Sequence, residues 1–435
     1  MTQTATQTKF DTEGFEAFLA TKSQPQWVVD ARRKAWESYQ QMEWPHRRHE
    51  EWIRSDLRLF NLDKFSVPTD TPAAAETHPL LNVGVDLAGH VDTLDCYTVS
   101  ESLDPELAAK GVIFGSLDRL VNEHPEIIQP LLFSAVDPTY DRFAALHAAF
   151  WSGGSILYVP RGVVIDKPLH MSSFMNDGAT DLSHTLVVLE EGAEATVLQE
   201  SNSFDRKAGG FHCGAIELIQ RPGSHLRFVT LQDWGYKTFH FAHQQAIVDR
   251  DATLQWTISA MGAGFAKVNQ QVQLVGPGAD SQVNGVMFTE GRQHLAYHTL
   301  QHHSAPNCHS DFLYKSAQQD NSQTVWKGMI KVDKIAQKTD GYQRNDNLLL
   351  SGSARADSIP GLEIEADDVR CTHGSTSSQV DAEQIFYARC RGFTQKEAVR
   401  MIVTGFFQQI FDRISIESVR DALGDAIAKQ VRDYA

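Results

Sequence analysis

Five segments in the middle of this chain share one plan. VVLEEGAEATVLQE, ELIQRPGSHLRFVTLQ, AIVDRDATLQWTIS, VQLVGPGADSQVNGVMF and HHSAPNCHSDFLYKS each read as a β-rich run, a tight turn and a second β-rich run. The turns centre on Gly192, Gly223, Asp251, Gly278 and Asn307, at steps of 31, 28, 27 and 29 residues. Gly, Asn and Asp are the residues that accept the left-handed backbone of such turns most readily. A strand-only unit of this size cannot bury a face alone and must stack on its neighbours. Residues 156–379 are therefore expected to be a β-rich solenoid, either a β-helix or a stacked β-sandwich, and not helical or doubly wound α/β. Periodicity does not choose between the two.

The flanks are patterned differently. Residues 10–60 set Phe15, Phe18, Trp27, Trp36, Tyr39 and Trp52 among charges and read as helical. SVPTDTPAAAETHP, Ser66 to Pro79, has the composition of a linker. With a further helix expected at Phe143–Trp151, residues 1–155 form a helical or mixed N-terminal domain. From 380 to 435 the helical period returns. Thr394 and Glu397 are spaced as a capping box, and Gly392 suits the end of a preceding helix. Val399, Val403, Phe406, Ile410 and Ile414 make one apolar stripe, with Phe407 and Phe411 beside it. An arc that wide packs either wholly within the chain or partly against another protein.

Charge and length narrow the function. The formal net charge of −16 and the lack of a sustained Lys/Arg run argue against nucleic acid or a membrane surface as partner. No apolar run is long enough to span a bilayer, and MTQTATQTKFDTEGFEAF does not read as a secretion signal. Five scattered cysteines fit a reducing compartment, so the cytoplasm is expected. The chain has no G-x-x-x-x-G-K-[ST] loop, and GPGADSQVNG reads as a turn, so no ATPase activity of its own is expected.

No C-x-x-C is present either. His302 and His303 are adjacent, so on a strand they face opposite ways and do not share an ion. Cys371 and His373 are two apart and share a strand face, behind an acidic patch of Glu363, Glu365, Asp367 and Asp368. Thiolate and imidazole are a ligand pair for iron or zinc, two short of a closed site. A buried cysteine beside a hydrogen-bonded histidine would look the same. Cys390 reads as helix packing. A secreted β-helix carbohydrate-active enzyme using Glu363, Glu365 and Asp367 is a further reading, set against a solvated acidic face.

The stretch from Arg355 to Phe407, with FAALHAAFWSGGSILYVPRGVVIDKPLH and LDPELAAKGVIFGSLDRLVNEHPEII before it, resembles the SufB/SufD family of iron–sulfur cluster assembly scaffolds over residues 100–415. The resemblance implies a right-handed parallel β-helix core between helical ends. It also implies a heterodimer with a SufB-like subunit through that core, and a SufC-like ATPase docked on the C-terminal helices, with Phe406, Phe407, Ile410 and Phe411 as candidates. Cys371 and His373 would then lie at the subunit interface, His373 serving a transient iron–sulfur cluster, with no cofactor held tightly by the isolated chain. In isolation the chain can pair with a second copy of itself. Within the family the SufD branch is favoured: Asp346 in RNDNLLLSG stands where SufB-type subunits carry a cysteine, and Gly374 stands where they tend to have glutamate. A SufB-type, cluster-bearing subunit is the alternative.

Overall fold

A computed structural model describes residues 8–68 and 77–431, so most of the expected linker lies outside the described residues. Two sheets run the length of the molecule. In the first, parallel pairing steps from Leu169–Met175 through Glu194–Ser203, His225–Asp233, Thr253–Ala260, Asp280–Thr289, His309–Gln318 and Asp340–Leu349 to Arg370–Gln379. In the second it steps from Gly154–Val159 through His184–Leu189, Gly209–Gln220, Lys237–Val248, Phe265–Leu274, His294–His303 and Gln323–Val332 to Arg355–Ile364. The chain alternates between the sheets, so each circuit adds one strand to both. This is a parallel β-solenoid, and it resolves the choice that periodicity left open.

The turn residues are its corners. Gly192, Gly223, Asp251, Gly278 and Asn307 all have φ between 56° and 77°. Each donates its N–H to the next corner: Gly192 to Pro222, Gly223 to Arg250, Asp251 to Pro277, Gly278 to Pro306, and Asn307 to Gln337. The corner backbone is satisfied by stacking, as buried backbone must be. Inside, Val197, Leu218, Phe228, Leu254, Trp256, Val283 and Trp326 belong to one apolar core. Alternation separates His302, which pairs with Asp333 at 3.0 Å, from His303, which is buried and bonded to Ser310 at 2.8 Å.

The sheets begin upstream of residue 156. Gly89–Leu94 pairs parallel with Leu169–Met175 and antiparallel with Tyr97–Leu103, and Ile113–Ser116 pairs antiparallel with Gly154–Val159. The 10–60 region is helical only at Thr12–Thr21 and Gln26–Gln41, then continues in short 3-10 turns. Its aromatic residues, Phe15, Phe18, Trp36 and Trp52, join Phe143 and Phe150 over Phe211 and Phe241 on the outer face of the second sheet. Two buried carboxylates tie loops down. Glu200 accepts from the amides of Leu80 and Leu81, and Glu217 from those of Phe133, Ala135 and Val136.

The C-terminal helices Ala382–Cys390, Gln395–Phe411 and Glu417–Gln430 lie over the outer face of the first sheet. The capping box at Thr394 and Glu397 is formed. Both helical units therefore cover faces of the solenoid and leave its C-terminal strands, Arg355–Ile364 and Arg370–Gln379, open. Outward rows such as Val286, Phe288, Leu313 and Ala317 are apolar and need that cover. Among the described residues, no helix is long and apolar enough to cross a membrane.

Candidate functional site

Among the described residues, nothing stacks on the last circuit of the solenoid. Arg355–Ile364 and Arg370–Gln379 are the edge strands of the two sheets, and most of their residues are exposed or half-buried. Backbone parity follows from the flanking bonds. Arg370 donates to Thr339 and Val380 to Leu349, so the even-numbered residues of that strand bond inward. Cys371, His373, Ser375 and Ser377 therefore turn both N–H and C=O to the open edge. On the other sheet, Arg355 donates to Ser322 and Glu365 to Val332, so the odd residues bond inward and Pro360 falls on the outward parity. A proline there removes no existing ladder bond, and it interrupts any regular continuation of that sheet.

Side chains of the same odd positions point into the lumen. Asn347 reaches both Ser377 at 3.2 Å and Ser358 of the opposite sheet at 3.0 Å, and Gln343 reaches the Gly361 carbonyl at 2.9 Å. Cys371 and His373 thus share one face, as their spacing requires, and stand at the solenoid mouth. Cys371 is half-buried against Ile330, Val332, Ala336, Ala366 and Val369. Burial pushes its thiol above the ordinary value, so it is a protonated, packed group until a metal or a base draws the proton off. His373 is exposed. Leu362 and Ile364, 39% and 37% exposed, line the other side of the mouth.

The pair belongs to no group of three potential metal ligands among the described residues; the one such group is Glu43, His46 and His49, in the N-terminal segment. Asp346 is buried on the outer face of the first sheet, accepting from Thr376 at 2.6 Å and paired with Arg344 at 3.0 Å. Glu363 is ion-paired with Lys331 at 2.9 Å and lines a cleft that also holds Glu51 and Lys327, while Glu365, Asp367 and Asp368 are exposed, so the acidic patch is largely a solvated face and brings no second carboxylate of its own to that cleft.

The helical candidates differ in burial. Phe407, Ile410 and Phe411 are at most 2% exposed, locked against the first sheet, and Phe406 is half-buried beside them. Phe407, Ile410 and Phe411 are thus covered by this chain's own sheet, and Phe406 keeps part of its ring at the surface. The exposed apolar groups of this unit are Phe386, Tyr387, Phe393 and Met401. Cys390 is also exposed and does not pack. Periodicity missed Phe386 and Tyr387 because their helix has no clear apolar stripe; two adjacent aromatics on a short polar helix were the signal.

Residues 13–171 match a family model described as the SufBD protein N-terminal region, and residues 173–406 match one described as the SUF system FeS cluster assembly, SufBD core domain. The chain is similar to the iron–sulfur cluster assembly protein SufB of Bacillus subtilis, 25% identical over 422 residues, covering 92% of this chain and 89% of that one. It is also similar to iron–sulfur cluster assembly SufBD family proteins of Staphylococcus epidermidis and Staphylococcus haemolyticus. Both are 26% identical, covering 91% of this chain and 88% of theirs.

Proposed function

Because the chain belongs to the SufBD family of iron–sulfur cluster assembly proteins, we propose that it is the SufD-type scaffold subunit of an assembly complex. Its open solenoid mouth pairs with that of a SufB-type subunit, and a nascent cluster is built at the seam. The observation that carries this reading is the terminal circuit itself. It is an uncovered edge, where unpaired strands invite another strand, and it presents an imidazole and a thiol on the lumen face at that edge. Two ligands from this chain and others from the partner would hold iron and sulfide only when the two mouths meet.

The assignment to the SufD branch rests on Asp346. Its carboxylate is committed to Thr376 and Arg344, and no thiol stands at that position to receive sulfur. With no phosphate-cradling loop, the chain draws its energy from a SufC-type ATPase. That partner docks on the C-terminal helices, through the exposed group of Phe386, Tyr387, Phe393 and Met401. The complex works in the cytoplasm. In isolation, two copies of the chain can meet by the same mouths.

The test is co-purification with SufB-type and SufC-type partners under anaerobic conditions, followed by iron and sulfide analysis. His373→Ala should leave the melting temperature and complex yield unchanged, because exposed side chains contribute within about 0.5 kcal/mol, and should lower the bound iron and sulfide. Cys371→Ser should lower them less. Normal loading in His373→Ala, or loss of cluster only in step with unfolding, would overturn the reading.

A further inference from the structure

A cavity of about 530 Å³ lies where the N-terminal segment crosses the corners of the solenoid, away from the groups at the mouth. Its flat wall is a register row on the outer face of the second sheet: Phe239, Phe265 and His294 are successive cross-strand neighbours. The rings of Phe265 and His294 stack with centroids 5.3 Å apart and 13° between planes. Burial holds His294 below its ordinary value, so it presents a neutral ring near pH 7. Four cations also line it: Arg47 and Arg54 from the N-terminal segment, Lys237 at the start of the Phe239 strand, and Arg292 in the turn before His294.

Two anions also line the cavity, and both are occupied. Asp56 accepts from Arg58 and from Arg47, each at 2.8 Å, and Glu290 is engaged by Tyr236 and by Gln319. Arg54 stands 3.8 Å from Asp357. Lys237 and Arg292 are exposed and have no ion pair among the described residues. Two unneutralised cations thus line this one cleft in a chain of net charge −16. The volume lies within the usual 300–1,000 Å³ of small-molecule sites.

We propose that this cavity binds a small molecule in which a phosphate anion is joined to a flat aromatic ring, of the size of a nucleoside diphosphate. The ring lies along Phe239, Phe265 and His294, and the phosphates lie between Arg292, Lys237 and Arg54. Planar guanidinium groups suit phosphate oxygens bidentately, and aromatic faces take a base without regard to its sequence of donors. This site is independent of the scaffold assignment, since it lies in one chain and needs no partner.

The test is calorimetric titration of the isolated full chain, free of any ATPase, with ADP, adenosine and inorganic pyrophosphate. ADP should bind, pyrophosphate should compete with it more weakly, and adenosine should bind weakest. The double variant Lys237→Glu/Arg292→Glu should weaken ADP at least tenfold without shifting the melting temperature, and Lys334→Glu at a distant corner should change nothing. No ADP binding at millimolar concentration, or affinity unchanged in the double variant, overturns the proposal. Pyrophosphate binding as tightly as ADP removes the ring from it and overturns it equally.

Discussion

The parity of the terminal strand makes a sharp test of how two solenoids would join. Ser375 turns its N–H to the open edge, whereas Thr372, on the even parity, donates to the Gly341 carbonyl by the same alternation that joins Arg370 to Thr339. Ser375→Pro therefore breaks no bond in the isolated chain. It asks only for a φ near −65° on an edge strand, where proline is tolerated. Thr372→Pro deletes a ladder bond and drives the ring toward a carbonyl left without its donor, at roughly 3 kcal/mol. In the assembled seam the ranking inverts. There Ser375→Pro removes a donor that a partner strand would use and puts a ring carbon in its path. A lost bond at about 1 kcal/mol plus an unmet carbonyl at 1–3 kcal/mol comes to roughly 3 kcal/mol, about a hundredfold in affinity.

The assay is twofold: the melting temperature of each isolated variant, and the dissociation constant of each with the SufB-type subunit. Ser375→Pro should melt like the parent and bind about a hundredfold more weakly. If it binds as the parent does, the seam is not a continuation of this sheet and the pairing proposed above is wrong. If both prolines destabilise the isolated chain equally, the parity itself is wrong.

Phe407→Ala empties a fully buried ring position between the C-terminal helices and the first sheet. It should cost about 3–5 kcal/mol, with hydrogen exchange over Gln395–Phe411 rising before that of the solenoid strands; a loss under about 1 kcal/mol would show that the helices are not held by this contact. Lys267 is buried beside His298 at 2.7 Å, and burial lowers its pKa from 10.5 to about 7. Between those values the unfolded chain holds a proton that the folded chain does not. This group therefore makes stability rise with pH across that window, by up to about 1.4 kcal/mol per pH unit. Lys267→Met should flatten that part of the urea-midpoint profile, and an unchanged slope would refute the depressed value.

What was legible in the sequence was whatever the local backbone demanded. Glycine, aspartate and asparagine marked the corners because a left-handed residue is needed there, and all five have positive φ. The next corner falls on Lys338, φ 59°, which carries no such mark. Its conformation is held by the stack, its N–H donating to the Asp368 carbonyl, so only the finished solenoid reveals it. The face shared by Cys371 and His373 was legible for the same reason, since alternation is a property of the strand alone.

The roles of Phe407, Ile410 and Phe411 were not legible. A helical stripe says which residues seek cover, but the cover here is Val286, Phe288 and Leu313, brought under them by the fold and not by any local pattern. One mark did encode a long-range fact. Proline within a sheet is confined to edge strands, strand starts and bulges, and Pro360 stands on the edge strand of the second sheet, a signal that the repeat pattern alone did not use. It also distinguishes the two terminal strands. The second sheet ends on an edge broken at Pro360, while the first ends on an unbroken one that carries Cys371 and His373. At this end of the solenoid, a partner strand that continues regular pairing along a whole edge therefore adds on the side where those two residues stand.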